Sequence, residues 1–265
     1  MKKIFIFFAV VIAVVGGVFW FISSDQLNAL IKEQIEIQGK RYTEQTVAVE
    51  KVEMQILQGA GTINGIVVNN PQGYSTTPLF SLNEITLDIN LESLPKVKEG
   101  GPVVLDAIVI NSPEALVEFG KNGGSNIQDV LDAVNRNIPK SSQTADTSTS
   151  STADPRITVK KLVLAGVTLR VDLTELGNTK HKKILPDINL ADIGGKEGIP
   201  ASEFGGELIK RSLSAIWKSA KKDQEKIIKE QLKEKAKEKL KEKLEEELGD
   251  KLKDKASKSL TDLLG

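Results

Sequence analysis

The chain has no cysteine, a single histidine and only two tryptophans and two tyrosines among its 265 residues. Without cysteine there are no disulfides, thiolate metal sites or cysteine nucleophiles. Lys plus Arg, at 36, equals Asp plus Glu, at 36, so no net field draws the chain to a polyanion. Aromatics at 5% leave too few rings for base stacking, and nucleic acid is excluded as a partner. His181 lies within Lys180-His181-Lys182-Lys183, where neighbouring cations discourage metal binding. Gly59-Ala60-Gly61 and Gly65 lack the spacing of a dinucleotide loop and run into the strand-like Ile66-Val67-Val68. Asp187 and Asp192 flank an alternating segment without a histidine or apolar pocket to set their roles apart, and read as turn or ion-pair residues. Ser202 fits a first helical turn after Pro200. A hydrolase would need an activated nucleophile that the sequence does not offer. The expectation is a non-enzymatic protein with no cofactor and no metal.

What is present begins at the N-terminus. Lys2 and Lys3 precede an unbroken apolar run over residues 4–22, closed by Phe19, Trp20 and Phe21 near its end and then Ser23, Ser24 and Asp25. A span of the hydrocarbon core takes about 20 apolar residues as helix, and aromatic rings favour the interface. The run is longer than the roughly 7–15 residues of a cleaved signal's apolar region. Residues 1–24 are therefore expected to be a cytoplasmic start and transmembrane signal anchor. The lysines orient it so that the N-terminus stays in the cytoplasm and the bulk is exported. In a bacterium this is a single-pass inner-membrane protein with a periplasmic body.

Leu27, Leu30, Ile31 and Ile35 recur at helical spacing, predicting a short amphipathic helix that ends near Gly39. From Thr46 to about Phe119 the period is two; Ile85, Leu87, Ile89 and Leu91 alternate with Glu84, Thr86, Asp88 and Asn90. Asn126 is expected to cap a helix carrying Ile127, Val130, Leu131 and Val134. Residues 139–156 form a Ser/Thr-rich linker, too polar to offset the entropy of ordering. Strands resume over 157–200, and 201–265 is an amphipathic and charged helical tail.

One apolar spacing occurs three times: Val47, Val49, Val52, Met54; Val103, Leu105, Ile108, Ile110; Ile157, Val159, Leu162, Leu164. Each copy slips phase between its second and third members, as a β-bulge would to restore the buried face. The later two copies turn through Asn111-Ser112-Pro113 and Ala165-Gly166 into another strand, which predicts a curved antiparallel sheet. The fold class expected is α+β: a transmembrane helix, a curved antiparallel sheet with covering helices, and a long charged C-terminal helix. In the tail, Leu232, Ala236, Leu240, Leu244 and their successors are spaced by four. That line spirals around a helix instead of forming a coiled-coil seam, and Gly249 is expected to interrupt it.

The anchor, the following helix, Asn70-Pro71-Gln72-Gly73-Tyr74, Leu91-Glu92-Ser93-Leu94, the turn at Ser112-Pro113 and Asn126-Ile127-Gln128 together resemble the N-terminal region of the AsmA-like family. The resemblance covers about residues 1–138, with 25–138 as the AsmA-like β-rich domain, and more weakly 157–193. It implies an inner-membrane protein with a periplasmic body of repeating β-groove type, in a family linked to outer-membrane biogenesis and phospholipid movement. The chain departs from the large members in length. Eight to ten strands at about 4.8 Å each span well under 60 Å. The charged tail is a second departure.

Two functions follow as expectations. In the first, the apolar sheet face is a groove that holds or transfers lipid acyl chains, lined by Ile85, Leu87, Ile89, Leu105, Ile108, Ile110, Leu169 and Val171. In the second, that face is a closed core and the protein docks an envelope protein partner through a sheet edge or its tail. Periodicity does not separate the two.

Overall fold

The computed structural model describes residues 24–139, 155–177 and 179–264. The apolar run over 4–22 and residues 140–154 of the Ser/Thr-rich stretch lie outside them, and no described helix is long and apolar enough to cross a membrane. The contacts divide the chain into two units, residues 1–220 and 221–265.

The first unit is α+β. Helix α1 (Ser24–Thr43) precedes ten strands: β1 (Val47–Gln55), β2 (Ala60–Val68), β3 (Phe80–Ile89), β4 (Val103–Asn111), β5 (Glu114–Glu118), β6 (Arg156–Ala165), β7 (Thr168–Asp172), β8 (Lys180–Ile184), β9 (Ile188–Ile193) and β10 (Ile199–Pro200). Helix α2 (Asn126–Asn137) lies between β5 and β6, and α3 (Ala201–Leu264) follows β10. The sheet is mixed, not purely antiparallel. β4 pairs parallel to β6, and β5 parallel to β7. Both pairings share one register, each residue facing the one 54 positions on, from Val103↔Ile157 to Glu118↔Asp172. The two hairpin-like copies are thus the same bent strand laid side by side. Parallel neighbours require a long crossover, and α2 lies on the path from β5 to β6.

β3 runs antiparallel to both β4 and β5, and β9 and β8 together run antiparallel to β6 and β7. The sheet therefore reads as six long ribbons, three of them bent. The bends fall at Ser112 and Gly166, equivalent positions that both hold positive φ, 46° and 63°. Ser112 donates its N–H to Ala165 O (2.9 Å), and Thr168 donates to Pro113 O (2.8 Å), so the bends are tied across the repeat. α3 measures the curvature. Ala201 N–H bonds Pro155 O, and Trp217 lies 5.6 Å from Phe119, whose N–H bonds Asp172 O. Sixteen helical residues rise about 24 Å, whereas the strand path from 156 to 172 would cover about 53 Å if straight. The helix is the string of a bow.

The phase slips occur where the spacing placed them. β1, β4 and β6 each return to a buried residue after two that are not, at Glu50-Lys51, Asp106-Ala107 and Lys160-Lys161. The register of β3 against β4 shifts there, between Asp88 and Ile89. Asp106 and Lys160, equivalent residues of the two copies, form an ion pair at 2.5 Å. On β2, Gly65 lies level with the slip at φ 63°, and an added Cβ would sit 2.5 Å from Glu50 Cβ.

Three local expectations are corrected. α1 does not end near Gly39 but continues to Thr43, because the missing side chain lets the helix rest on Val47, whose Cγ2 would lie 2.9 Å from an added Cβ. Ser125, not Asn126, caps α2; its hydroxyl accepts from Gln128 N–H. The second unit is the remainder of α3, helical through Gly249. A glycine costs a helix interior about 1 kcal/mol, too little to break a segment so rich in Lys, Glu and Leu.

Candidate functional site

The register converts the alternating pattern into two apolar rows that cross the sheet. One joins Val52, Ile63, Ile85, Ile110, Leu164 and Ile188; the other joins Met54, Gly61, Leu87, Ile108, Leu162 and Leu190. Neither carries a polar side chain. Met54 lies over Gly61, where an added Cβ would meet its sulfur at 2.6 Å and Leu87 Cδ1 at 3.3 Å.

Of the eight residues expected to line a groove, Ile89, Leu105, Ile108, Ile110, Leu169 and Val171 are buried. Ile85 and Leu87 are half-buried and pack against a cluster of Leu27 and Ile31 from α1 with Val49, Val52 and Ile63 from β1 and β2. Ile85–Ile110, Leu87–Ile108 and Ile89–Leu105 are cross-strand partners, while Leu169 and Val171 lie on β7. The rows are thus closed at β4 and β6 and less covered at β3 and at β9, where Ile188 and Leu190 are half-buried.

The sheet edges differ as well. Along α1, Asn28, Lys32 and Glu36 recur every four residues and reach the outer backbone of β1. Asn28 Oδ1 accepts from Met54 N–H (2.9 Å), Glu36 Oε1 accepts from Val49 N–H (2.9 Å), and Lys32 Nζ donates to Glu50 O (3.2 Å). Periodicity gave the buried stripe of this helix but not its polar one, which is visible only once a strand edge is beside it. The opposite edge, β8 and β9, pairs with no further strand among the described residues. β8 exposes Lys180, Lys182, Lys183 and Ile184 there. Lys180 also reaches Asp172 Oδ2 at 2.9 Å.

Two of the segments that carry the family resemblance, 70–74 and 126–128, meet in space. Asn126 is fully buried and uses all of its side-chain capacity: Nδ2 donates to Asn70 Oδ1 (2.8 Å) and Leu116 O (2.9 Å), and Oδ1 accepts from Glu118 N–H (2.9 Å) and Ile127 N–H (2.7 Å). Asn70 Nδ2 donates in turn to Ser75 O (3.0 Å) and to the Glu118 carboxylate. Tyr74 donates to Asp129 Oδ2 at 2.9 Å; burial, then this neighbouring carboxylate, pushes its phenol up to about 12. In the other segment Ser93 Oγ accepts from Val104 N–H (3.0 Å) and donates to Asn90 O (2.7 Å), tying the end of β3 to the start of β4. Both networks fix loops to the sheet, and neither leaves a reactive group aimed at a cavity.

Three carboxylates are held below their usual range. Asp106 is lowered chiefly by its hydrogen bond from Lys160; burial opposes this, and the hydrogen bond from Asn90 adds to the lowering. Burial raises Asp172, but the Thr174 hydroxyl, Lys180 and Thr174 N–H outweigh it. Glu44 is lowered by Asn137 and Arg136. Each shift has a structural partner. Asp187 Oδ1 accepts from Gly166 N–H (3.1 Å) at the bend, and Asp192 holds a positive φ of 52° beside the slip in β6, so the two serve turns. His181 Nε2 lies 3.2 Å from Thr179 Oγ1, and no group of three or more potential ligands occurs among the described residues. The arrangement offers apolar contact and an extended backbone edge. No protein-family model, curated protein or solved structure matches the chain.

Proposed function

We propose that the chain is a single-pass inner-membrane protein with a periplasmic body, supporting cell-envelope assembly without catalysis by holding or passing lipid acyl chains on its apolar sheet face. The observation that carries this reading is the pair of transverse rows, free of polar side chains across six ribbons and only half-covered at Ile85 and Leu87. An acyl chain needs such a continuous dry track and no directional partner. The lining set narrows to Ile85, Leu87, Met54 and Ile66, which are half-buried together beside α1. The resemblance to the AsmA-like family points the same way. In the test, the full-length protein is purified from membranes in mild detergent and examined by native mass spectrometry. Retained phospholipid should be lost in Leu87→Asp and kept in Ile184→Asp, with both variants folded. Equal lipid in all three would sink the reading.

A second reading is favoured by the edges. With β1 capped by α1 and no further strand beyond β8 and β9 among the described residues, the lysine-bearing edge suits an extended, carboxylate-bearing segment of an envelope protein. Lysines on an edge discourage pairing with uncharged strands and with a second copy. Cross-linking from Lys182 to an acidic partner segment, abolished by Lys182→Glu, would establish this docking role instead.

A further inference from the structure

The most exposed large apolar side chains of the first unit do not all lie on the candidate face. Leu57, at 80% exposure, stands on the 3-10 turn Ile56–Gln58 between β1 and β2; Leu91, at 43%, stands on the 3-10 turn Leu91–Ser93 after β3. These turns are neighbours. Gly59 O accepts from Ile89 N–H at 2.7 Å, and an added Cβ on Gly59 would lie 3.3 Å from Leu91 Cγ. Ile56 folds inward against the cluster that contains Leu27, which leaves Leu57 turned outward.

The described chain also begins at this end of the sheet, with Ser24. α1 runs antiparallel to β1, with Asn28 on Met54 and Gly39 on Val47, so its first turn lies at the end of β1 that leads into Leu57. From Ser24 to Asn28 the helix rises about 6 Å. The headgroup layer on each side of a bilayer is itself roughly 5–7 Å thick. A segment that leaves the hydrocarbon near Ser24 therefore brings this end to the depth of the interface. The loop after Leu91 carries both signs of charge, Glu92, Lys96, Lys98 and Glu99, so attraction to anionic lipid is not what would hold it there.

We propose that the sheet end built from Ile56–Gln58 and Leu91–Ser93 rests on the bilayer, with Leu57 and Leu91 immersed in its interfacial layer. This rests on reading residues 4–22 as a membrane span. It adds that the body is seated on the membrane by its own side chains, with the end of the sheet nearest Met54 and Leu87 towards the lipid. The occupant is the bilayer surface, because the sequence that precedes Ser24 is apolar over residues 4–22 and α1 begins at this end.

The absence of cysteine makes the test clean. Leu57→Cys, Leu91→Cys and, on the exposed β8 position at 69%, Ile184→Cys are each labelled with an environment-sensitive fluorophore in the full chain, reconstituted into phosphatidylcholine vesicles. Resistance to carbonate extraction reports anchoring separately. Support is a blue-shifted emission at Leu57→Cys and Leu91→Cys that spin-labelled lipids quench, with Ile184→Cys left unshifted and unquenched. If the chain stays in the membrane but the labels at 57 and 91 behave like that at 184, the seating is overturned while the span stands. A blue shift without lipid quenching also overturns it, since protein then covers the leucines. Extraction of the chain by carbonate overturns the span itself, and the seating with it.

Discussion

Ile85 and Leu164 belong to one row of the sheet, two ribbons apart, yet Leu164 is fully buried and Ile85 only half so. Their strands read alike in sequence: both alternate, and both carry β-branched or leucine residues on the inner face. The difference comes from the helices. The half of the sheet that includes β5 has α2 against it and the start of α3 across it, with Trp217 on Phe119; Tyr42 at the end of α1 donates to Ser202 O and so joins that helix to α3. The half at β2 and β3 has α1 packed against it, set along the β1 edge. A periodic apolar pattern therefore specifies a face, and the number of helices laid on that face decides whether it is core or surface.

The contrast can be broken by charge. Leu164→Asp should cost on the order of 5 kcal/mol, because an unpaired carboxylate would enter a filled interior; circular dichroism melting should show no cooperative transition. Leu87→Asp should remain folded with a loss of about 1–2 kcal/mol, since a half-buried position lets water reach the carboxylate. If the two substitutions were equally damaging, β3 would be core too and no lipid track would remain.

The next effect concerns the loop lock. Asn126→Ala leaves Leu116 O and Glu118 N–H without their partner in a buried site and should cost about 3 kcal/mol, read as a lower denaturant midpoint with an unchanged slope. Asn126→Asp should not rescue it, since a carboxylate cannot donate to Leu116 O. A smaller effect is expected at the capped edge. Glu36→Ala removes one acceptor from Val49 N–H and should cost about 1 kcal/mol; raised self-association on sedimentation would show that the helix row guards the β1 edge.

The smallest effect is acid sensitivity. Asp106, Asp172 and Glu44 have depressed values in the folded state, so the stability they contribute is complete above their unfolded values and is lost as pH falls through the folded ones. Melting temperature should hold from neutrality to about pH 5 and decline below the ordinary carboxylate range near 4. Asp106→Asn should shallow that decline, and a steeper one would contradict the assigned Lys160 pairing.

Much of the architecture was legible because local periodicity is written residue by residue. The phase slips at Glu50-Lys51, Asp106-Ala107 and Lys160-Lys161, and the turn at Gly166, could be read before any coordinates. The parallel pairing of β4 with β6 could not, because hairpin periodicity is the same whichever neighbour a strand selects. Gly39 was misleading for a related reason: glycine ends helices and also admits close packing, and only the presence of Val47 decides between them. Asn126 stood one residue past the true cap, its own side chain engaged by a strand that sequence distance hides. Of the candidate face, the sequence identified the inward-pointing residues, but their cover depends on which helices pack beside them, as α1 does at Ile85 and Leu87.

The central claim is that acyl chains reach the rows at β3 and not at β6. A photo-activatable residue placed at Leu87 in full-length protein in cells, and in parallel at Leu164, tests it most directly. Phospholipid cross-linked at position 87 and absent at 164 is the result expected. Cross-links only to protein at both positions would contradict the claim and leave the docking edge as the working surface.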